Sequence, residues 1–419
     1  MHRVFVSPSF RALLAPVLEE PYESSSTRLA FGHHCLWPAH AAAGPAPQPD
    51  QRDVAHSAAT WLITTHQNDD GGYTSFSQGA NGAPSNVGGT LDAIIAIAST
   101  GYSVASPYPF KTNAPLDYLA ANIGDVATYA AADGAQAGKL ILALAAAHQD
   151  PTDYMGYNFA ISLTNQISPA GQYGVDDPFK QSLAILGLTA VSETVPMSAT
   201  QWLQDRQATD GSWDDGFGTM RNADATAMAM MALIAADIDI NDSSIVSATA
   251  FLDDAQLDTG GWGYTDGSSQ STNSTGLVIQ ALKAAGEDFY SSGSSWAQGS
   301  NSPLAALLSA TNSETGAFQA DFGMGPFDDF FSTVQALPAA VGKAYPLPAR
   351  LIAAKLGASC IANLRDNGGG WEQFAGAGVN AGGTARAIEA IVAVGGDPYS
   401  NSFLPNANVA GLPVPISAL

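Results

Sequence analysis

Two short stretches of this 419-residue sequence decide the fold, Gln207-Ala-Thr-Asp-Gly-Ser-Trp213 and Gln256-Leu-Asp-Thr-Gly-Gly-Trp262. Both have the pattern Gln, three residues, Gly, one residue and an aromatic side chain. Self-similarity at a nearly constant period is the signature of a repeat architecture. The two stretches therefore predict that the chain is built from copies of one structural unit.

Looser copies of the pattern extend this array in both directions. The aromatic position is occupied by Tyr73, Tyr129, Tyr173, Trp213, Trp262, Phe318 and Trp371, which are separated by 40 to 56 residues. The copy that ends at Tyr129 is the most degenerate, because it lacks both the Gln and the Gly. The spacing fits one helical hairpin per unit and predicts seven hairpins between about residues 53 and 396.

Each unit has the same order of elements. A first helix, such as 199–206 or 245–252, is amphipathic, and a Gly-rich turn follows because Gly tolerates positive φ. A cluster of Ser, Thr, Asn or Asp then caps a second helix. The second helices, such as 225–236 and 276–285, are apolar on nearly all faces, and a helix of that kind is buried on every side.

These patterns predict an all-α fold, a closed α/α toroid of about six to seven helical hairpins with an inner and an outer ring of helices. The alternative is an open solenoid of helix pairs. An open solenoid exposes one face of each helix, so the apolar inner helices favour the closed ring.

Composition and charge narrow the classes of function. The sequence has 15 Lys and Arg against 38 Asp and Glu, a formal net charge of −23. So few basic residues argue against nucleic-acid binding and against adhesion to anionic lipid. The apolar fraction of 46% is sufficient for a core. No apolar run approaches the ~20 residues of a membrane-spanning helix.

The two ends of the chain are predicted to lie outside the fold. Residues 1–50 are interpreted as a leader or linker, with an A-x-A-like site at Ala39-His40-Ala41 before a Pro-rich stretch. The toroid is assigned to residues 51–398 and a tail to residues 399–419. Together with the low Lys content, these features favour an extracellular or cell-surface protein, although the N-terminus is not a clean signal peptide.

The Gln-x3-Gly-x-Trp motif followed by an Ala- and Leu-rich helix resembles the repeat of squalene and oxidosqualene cyclases and of protein prenyltransferase β subunits. This resemblance covers about residues 53–396 and implies the α/α toroid of the terpenoid cyclase superfamily. A narrower likeness runs from Ser274 through Gln280 and Trp296 to Gln335. That stretch looks like the helical domain of cobalamin-binding proteins of the transcobalamin type, and it implies a corrinoid as the ligand.

The sequence offers few candidates for acid catalysis. Class II terpene cyclases protonate an alkene or epoxide with the middle Asp of a D-x-D-D motif, which this sequence does not contain. Asp176 and Asp224 are the remaining candidates for a general acid. The alternative for Asp176 and its neighbour Asp177 is capping of the next helix, and the pairs Asp214-Asp215 and Asp328-Asp329 have the same interpretation.

Cysteine and histidine point to neither a metal nor a nucleophile. Cys35 and Cys360 are too few for a disulfide scaffold, and whether they pair is left open. The sequence has no C-x-x-C motif for zinc, and no metal site is predicted. His56, His66 and His148 lack a nucleophile-elbow context and are interpreted as structural.

The mouth of the ring is the remaining place for a site. Every inner helix of a toroid starts at the same end, so first-turn side chains and free backbone N–H groups crowd one rim. Alignment of the apolar helix cores gives a first-turn column of Thr90, Ala137, Gln181, Thr226, Thr275, Phe330 and Thr384. Two residues earlier lie Gly88, Ala135, Phe179, Asp224, Asn273, Asp328 and Gly382. One interpretation is helix capping, and the other is a rim for amide-rich or hydroxylated ligands.

Larger side chains replace capping residues on part of this rim, which predicts one concave pocket with aromatic walls. The predicted ligand-binding residues are Phe179, Gln181, Asp224, Tyr264, Asn273, Asp328, Phe330, Phe331 and Gln335. The motif aromatics, by contrast, recur in every unit. They are interpreted as structural, because packing requires them in each repeat and a single site does not.

Three functions fit these observations. The first is an exported, non-catalytic protein that binds a bulky small molecule at the rim, corrinoid-like by resemblance. The second is a cyclase or other lyase-type enzyme that uses the central cavity. The third is a structural or protein-interaction toroid whose centre is filled by side chains. The first function is favoured, with cobalamin or another corrinoid as the possible bound ligand and no cofactor assigned.

Overall fold

The computed structural model describes residues 49–75, 83–174, 176–218 and 221–347, all of which belong to one compact unit, residues 38–359. The helices are α1 (Pro49–Trp61), α2 (Val87–Ser99), α3 (Pro115–Ala121), α4 (Ile123–Ala132), α5 (Gly134–Ala146), α6 (Phe159–Thr164), α7 (Pro178–Ala190), α8 (Met197–Gln204), α9 (Ala223–Ala235), α10 (Ser243–Asp254), α11 (Thr272–Ala285), α12 (Pro303–Leu308) and α13 (Phe330–Ala340). A π-helical turn, Leu62–His66, follows α1. Strands β1 (Gln319–Ala320) and β2 (Phe327–Asp328) form a small antiparallel hairpin in which Gln319 pairs with Asp328. None of the helices in the described part of the chain is long and apolar enough to cross a membrane.

Six helices form the inner ring, namely α2, α5, α7, α9, α11 and α13. Each packs against the next in this order, and α13 packs back against α2, so the ring is closed. The shorter helices α4, α6, α8, α10 and α12 pack against the inner helices, and α1 packs against α13. These contacts confirm the predicted all-α fold with six hairpins. The seventh unit, predicted at Trp371, lies outside the described residues, as do the predicted tail and residues 1–48 of the predicted leader. Helix α1 begins at Pro49, two residues inside that leader.

The inner helices are buried because their sequences are apolar on every face. In α9, the side chains of Met228, Met230 and Met231 point in different directions around the axis, and all three are inaccessible to solvent. Small residues bring neighbouring helices close together. A Cβ atom added to Gly138 of α5 would lie 2.2 Å from the Leu183 carbonyl oxygen in α7. A larger residue at Gly138 would therefore push these two helices apart.

The Gln-Gly-aromatic turn joins each outer helix to its own inner helix and to the next unit. Gln207 Nε2 donates to the Ser244 carbonyl of α10 at 2.8 Å. The backbone N–H of Trp213 donates to Thr226 Oγ1 in α9 at 3.0 Å, and its indole N–H donates to the Leu203 carbonyl of α8 at 2.8 Å. Trp213 is fully buried, which agrees with the structural role predicted for the motif aromatics.

The same bonds recur one unit later. Gln256 Nε2 donates to the Trp296 carbonyl at 2.8 Å, and the backbone N–H of Trp262 donates to Thr275 Oγ1 at 3.0 Å. The motif position requires Gly for two reasons, a positive φ angle and the lack of space for a Cβ atom. Gly211 has a φ of +91°, and a Cβ atom there would lie 2.1 Å from a backbone carbonyl oxygen of α10.

The degenerate second copy of the repeat was predicted wrongly. Tyr129 lies inside α4 and not in a Gly-rich turn. The place of the motif Gly is taken by Ala127, a strong helix former that continues the helix through Tyr129.

The predicted register of the last inner helix is also wrong. Phe330 was aligned with Thr275, but in the structure Thr333 takes that place, because its Oγ1 accepts from the Phe318 N–H at 3.1 Å. Phe330 is instead the first residue of α13. The alignment slipped by three residues because it matched Gln335 to Gln280.

Candidate functional site

The amino-terminal mouth of the inner ring is built from capped helix starts. The N-cap residues are Asn86, Asp133, Asp177, Asn222, Ser271 and Asp329, and the side chain of each accepts a hydrogen bond from a backbone N–H of the first turn. A cap satisfies one of the N–H groups that a helix start leaves free. The predicted capping role is therefore confirmed for Asp177 and Asp329.

Four other aspartates that were predicted to cap helices do not, and one of them, Asp176, pairs with Arg206. Asp214 Oδ1 accepts from the Gly216 N–H at 2.8 Å, and Asp215 Oδ1 accepts from the Phe217 N–H at 2.9 Å. Both bonds lie within the turn that precedes α9, where an Asp side chain mimics a backbone turn. Asp328 lies in β2 and accepts from Asn312 Nδ2 at 2.8 Å.

A cavity of about 390 Å³ opens at this mouth, between the starts of α5, α7 and α9. It is lined by Tyr129, Asp133, Ala135, Gln136, Lys139, Asp177, Phe179, Lys180, Leu183, Asp215, Phe217, Asn222, Asp224, Tyr264 and Gln335. Aromatic rings supply apolar surface, and carboxyl, ammonium and amide groups supply polar contacts. This mixture is typical of a small-molecule site.

A second cavity, of about 470 Å³, lies at the opposite mouth, near the carboxyl ends of α2, α5 and α13. Its lining includes Tyr102, His148 and Lys343. None of its described lining residues has a buried side-chain nitrogen or oxygen that lacks a hydrogen-bond partner. The amino-terminal cavity has two such atoms, in Asn222 and Asp224, and is therefore the stronger candidate.

Asp224 is the second residue of α9, and its side chain is reached from the cavity. Its Oδ1 is inaccessible and has no hydrogen-bond partner. Burial raises the pKa of Asp224 to about 7, and the Ser274 hydroxyl of α11 offsets only part of this shift. The Asp224 carboxyl therefore carries a proton in much of the population near neutral pH, and it can donate a hydrogen bond as well as accept one.

The other acidic groups of the cavity are engaged with protein partners. The Tyr264 hydroxyl donates to Asp215 Oδ2 at 2.7 Å. Burial, together with this bond, holds the pKa of Tyr264 well above its usual range. Burial also raises the pKa of Asp177, although its bond from the Lys180 N–H opposes the shift. Asp224 differs from these groups because one of its carboxyl oxygens, Oδ1, is buried without a hydrogen-bond partner.

Two lysines bring positive charge to the cavity. Lys139 Nζ pairs with Asp92 Oδ1 at 2.8 Å. The pKa of Lys139 is raised overall. Burial by itself would lower this pKa, but the negative charge of Asp92 has the larger, opposite effect. Within the described ranges, Lys180 makes no salt bridge. A search of the same residues finds no group of three or more His, Cys, Asp or Glu side chains placed to hold a metal ion.

Four of the predicted ligand-binding residues, Phe179, Asp224, Tyr264 and Gln335, line this one cavity. Asn273 is not part of the lining, but its Nδ2 donates to Gln335 Oε1 at 2.9 Å and so holds a lining residue in place. The structure thus brings together residues that are more than 150 positions apart in the chain.

The remaining predicted ligand-binding residues lie elsewhere. Gln181 is fully buried and serves the turn, since its Oε1 accepts from the Tyr173 N–H at 2.8 Å. Phe330 is buried against His66, with ring centroids 5.1 Å apart. Asp328 and Phe331 do not line the cavity.

Asp176, the other candidate acid, lies at the surface. Arg206 Nε and Nη2 donate to its two carboxylate oxygens at 2.6 and 3.1 Å, and 65% of the Asp176 side chain is exposed. A general acid for alkene protonation needs a dry cavity, whereas Asp176 is in contact with water. Its position does not fit that role.

Several lining residues were missed by sequence reasoning. Gln136 and Lys180 each stand three residues after an N-cap, and Lys139 stands six residues after one. Gln335 is also six residues after its N-cap. These positions can be found in the sequence when residues are counted from the N-cap of each inner helix. An alignment of the apolar helix cores does not find them. The position of Tyr129 could not be found by counting from an N-cap of an inner helix, because Tyr129 lies inside α4.

Comparison with known proteins shows that part of the chain is similar to a known family. Residues 145–315 match the family model of the squalene-hopene cyclase C-terminal domain. This segment contains the turns at Tyr173, Trp213 and Trp262 and the inner helices that follow them. The resemblance predicted from the repeat is thereby confirmed for residues 145–315, whose inner helices belong to the closed ring. No curated protein matches the sequence.

Solved structures of similar fold share little sequence with this chain. The apo type II terpene cyclase MstE from Scytonema is 14% identical with a TM-score of 0.49, and the match covers 70% of this chain and 98% of that chain. Haptocorrin in complex with Cbi is 14% identical with a TM-score of 0.44, covering 72% and 69%. The ent-copalyl diphosphate synthase from Streptomyces platensis is 18% identical with a TM-score of 0.40, covering 62% and 52%.

Proposed function

We propose that this protein binds a small molecule in the amino-terminal cavity of its toroid and does not transform it. The observation that carries the proposal is the convergence of helix starts and turns from several units on one cavity of about 390 Å³. Groups that serve packing recur in every unit. Phe179, Phe217 and Tyr264 instead lie on one part of the mouth, and this asymmetry favours a single ligand site.

The lining indicates the class of ligand. Four aromatic side chains favour a ligand with a flat apolar surface, while the amide and carboxyl groups favour hydroxyl or amide substituents. A corrinoid combines these features, because amide side groups surround its flat macrocycle. It is larger than the cavity, so only one edge would enter. Corrinoid binding is the finer form of the proposal, and the resemblance in residues 274–335 supports it.

Equilibrium dialysis against cobalamin and cobinamide, followed by measurement of corrinoid absorbance, tests this form. We expect retention at micromolar protein. Phe179→Ala removes one aromatic wall and should weaken binding about tenfold, since such contacts contribute roughly 1–2 kcal/mol. Phe322→Ala is the matched control, because Phe322 is exposed and lies outside the cavity. Absence of retention for both corrinoids would remove the corrinoid form.

A second candidate function is proton-initiated cyclisation of an isoprenoid alkene. It is favoured by one observation, a cavity-lining Asp224 whose pKa is raised to about 7. Its protonated carboxyl would add a proton to an alkene carbon, and a later proton loss from the carbocation would restore the acid. The lining argues against this chemistry, because Asp215, Asp177 and Lys180 would stand beside the cation and capture it or admit water.

Incubation with squalene and with geranylgeranyl diphosphate, followed by mass-spectrometric analysis of products, separates the two functions. The binding proposal expects recovered starting material only. Cyclised isomers that disappear in Asp224→Asn would replace it with the enzymatic function. If neither ligand nor product is found, the buried inner ring favours the third function, a protein-interaction toroid.

A further inference from the structure

We propose that the cavity recognises a neutral carbonyl group of its ligand, which accepts hydrogen bonds from the Asn222 amide and the Asp224 carboxyl. This inference rests on the proposed function, because it names the chemical group that the same cavity selects. Two cavity-lining side chains with unpartnered polar atoms carry it.

Asn222 is fully buried and uses only part of its hydrogen-bonding capacity. Its Oδ1 caps α9 by accepting from the Ala225 N–H at 2.7 Å. Its Nδ2 carries two N–H donors, and the neighbouring Tyr264 hydroxyl, which gives its own proton to Asp215, accepts from one of them at most. A buried donor without an acceptor costs free energy, and a ligand acceptor would remove that cost.

Asp224 supplies the second donor. It follows Asn222 by two residues in the first turn of α9, and its Oδ1 has no partner. The buried carboxyl retains its proton up to about neutral pH and so presents an O–H group. Two donors in one helical turn match the two lone pairs of one carbonyl oxygen.

The charges around Asp224 select a neutral group over an anion. The other titratable groups that line the cavity are Tyr129 from α4, Asp133 and Lys139 at α5, Asp177 and Lys180 at α7, Asp215 in the turn before α9, and Tyr264 in the turn before α11. From α11, Ser274 stands beside Asp224 and does not titrate in this range. Three other carboxyls therefore face two ammonium groups, one of which is paired with Asp92. A ligand carboxylate would add to this negative field, whereas an amide or ketone carbonyl would not.

Binding of N,N-dimethylbenzamide, measured by ligand-detected NMR at pH 5.5 and pH 8.5, tests the inference. This probe has a ring for the aromatic walls and a carbonyl acceptor, but no N–H or O–H donor. We expect it to bind more tightly than benzoate or benzylammonium at pH 5.5. Its affinity should fall about tenfold at pH 8.5, because the Asp224 donor is lost as the carboxyl ionises through a pKa of about 7.

Two near-isosteric variants separate the two donors. Asn222→Asp keeps an oxygen for the cap of α9 and deletes the N–H donors, so binding should drop at least tenfold. Asp224→Asn keeps a donor at every pH, so binding should persist and lose its pH dependence. Asp176→Asn is the matched control, because Asp176 is exposed, paired with Arg206 and outside the cavity. Thermal unfolding of each variant verifies that it is folded.

The outcomes discriminate between the alternatives. Preference for benzylammonium would make the cavity a cation site, and preference for benzoate would make it an anion site; either result overturns the inference. An unchanged pH profile in Asp224→Asn overturns it as well. Failure of corrinoid retention would leave this test intact, because it uses a different probe. If the protein retains a corrinoid but does not bind N,N-dimethylbenzamide, the proposed function stands and the inference about the carbonyl group is wrong.

Discussion

Asp224 and Asn273 occupy the same position, the second residue of two successive inner helices. Asn273 is satisfied on both sides, because its Nδ2 donates to Gln335 Oε1 at 2.9 Å and its Oδ1 accepts from Ser332 Oγ at 2.8 Å. Asp224 stands beside Ser274, the equivalent of Ser332, and this hydroxyl offsets part of the effect of burial on the pKa of Asp224, but Asp224 Oδ1 has no hydrogen-bond partner. One repeat thus builds a closed polar network in one unit and an open network in its neighbour.

The difference originates in the following helix. Gln335 is the sixth residue after the N-cap of α13, whereas the sixth residue after the N-cap of α11 is the buried, apolar Leu277. Leu277 has no donor to offer Asp224. The cavity therefore lies where the hydrogen-bond network around the mouth is incomplete, and completing a network is what a ligand does at such a site.

The largest expected effect is stabilisation by Asp224→Asn. The pKa of Asp224 is about 7 in the folded protein, above the value of about 4 of an unfolded chain. Stability is therefore lost as pH rises from about 4 to 7, and above pH 7 the buried charge costs about 2–4 kcal/mol. The variant should be more stable by this amount at pH 8, and the gain should vanish near pH 4. Urea unfolding at both pH values measures this, and equal stability at pH 8 would contradict it.

Asn273→Ala should have the opposite effect. The substitution leaves Gln335 Oε1 and Ser332 Oγ without their partner, which costs about 1–3 kcal/mol. Asp224→Ala is the matched comparison, and it should not destabilise at pH 8, since it removes a buried carboxylate and leaves only the Ser274 hydroxyl behind. Chemical denaturation of both variants tests the pair. Equal losses in the two variants would mean that the two positions do not differ as the hydrogen bonds indicate.

The two serines permit a finer comparison. Ser332→Ala removes the donor to Asn273 and should lower the free energy of unfolding by about 1 kcal/mol. Ser274→Ala removes a hydroxyl whose interaction with Asp224 favours the ionised carboxylate, so its effect should be smaller near pH 5, where Asp224 is protonated. The difference between their urea midpoints is the quantity to measure. A larger loss in Ser274→Ala would show that the network around Asp224 is closed.

Asp176→Asn should have the smallest effect. The Asp176–Arg206 pair is largely exposed, and pairs of this kind contribute less than about 1 kcal/mol. The loss should shrink further in high salt, because screening weakens exposed pairs. Unfolding at low and high salt measures this. A salt-independent loss of several kcal/mol would give Asp176 a buried role that its exposure does not support.

The fold was predictable because its signals are local. The Gln, Gly and Trp of the turn at 207–213 act within one unit and its immediate neighbour, and the apolar faces of α9 indicate burial without reference to other helices. Prediction was wrong where the local signal was weak. Ala127 in place of Gly let α4 continue through Tyr129, and two similar Gln-Ala-Leu strings shifted the register of α13.

The candidate site was predictable only in part. Tyr264 was predicted as an aromatic residue of a Gly-rich turn and Asp224 as a residue of the rim, whereas Phe179 was identified because it departs from capping residue types. The structure brings all three, with Gln335, to one cavity. Gln181 also departs from capping residue types, yet its side chain is hydrogen-bonded to the backbone of its own turn, at Tyr173 and Gly171. Residue type alone does not reveal whether a polar group is already bonded. Export from the cell and the bounds of the terminal segments stay predictions.

The sequence by itself determined the repeat, the all-α fold and the closed ring, because helix periodicity, caps and Gly turns are short-range properties. Only the tertiary structure decided which polar groups at the mouth find partners. Asp224 and Ser274 come from successive units and are about fifty residues apart in the chain. Asn273 and Ser332 form the equivalent pair one unit later, at a similar separation. Their residue types give nearly the same expectation, but the packing of adjacent helices satisfies Asn273 on both sides and leaves Asp224 Oδ1 without a partner.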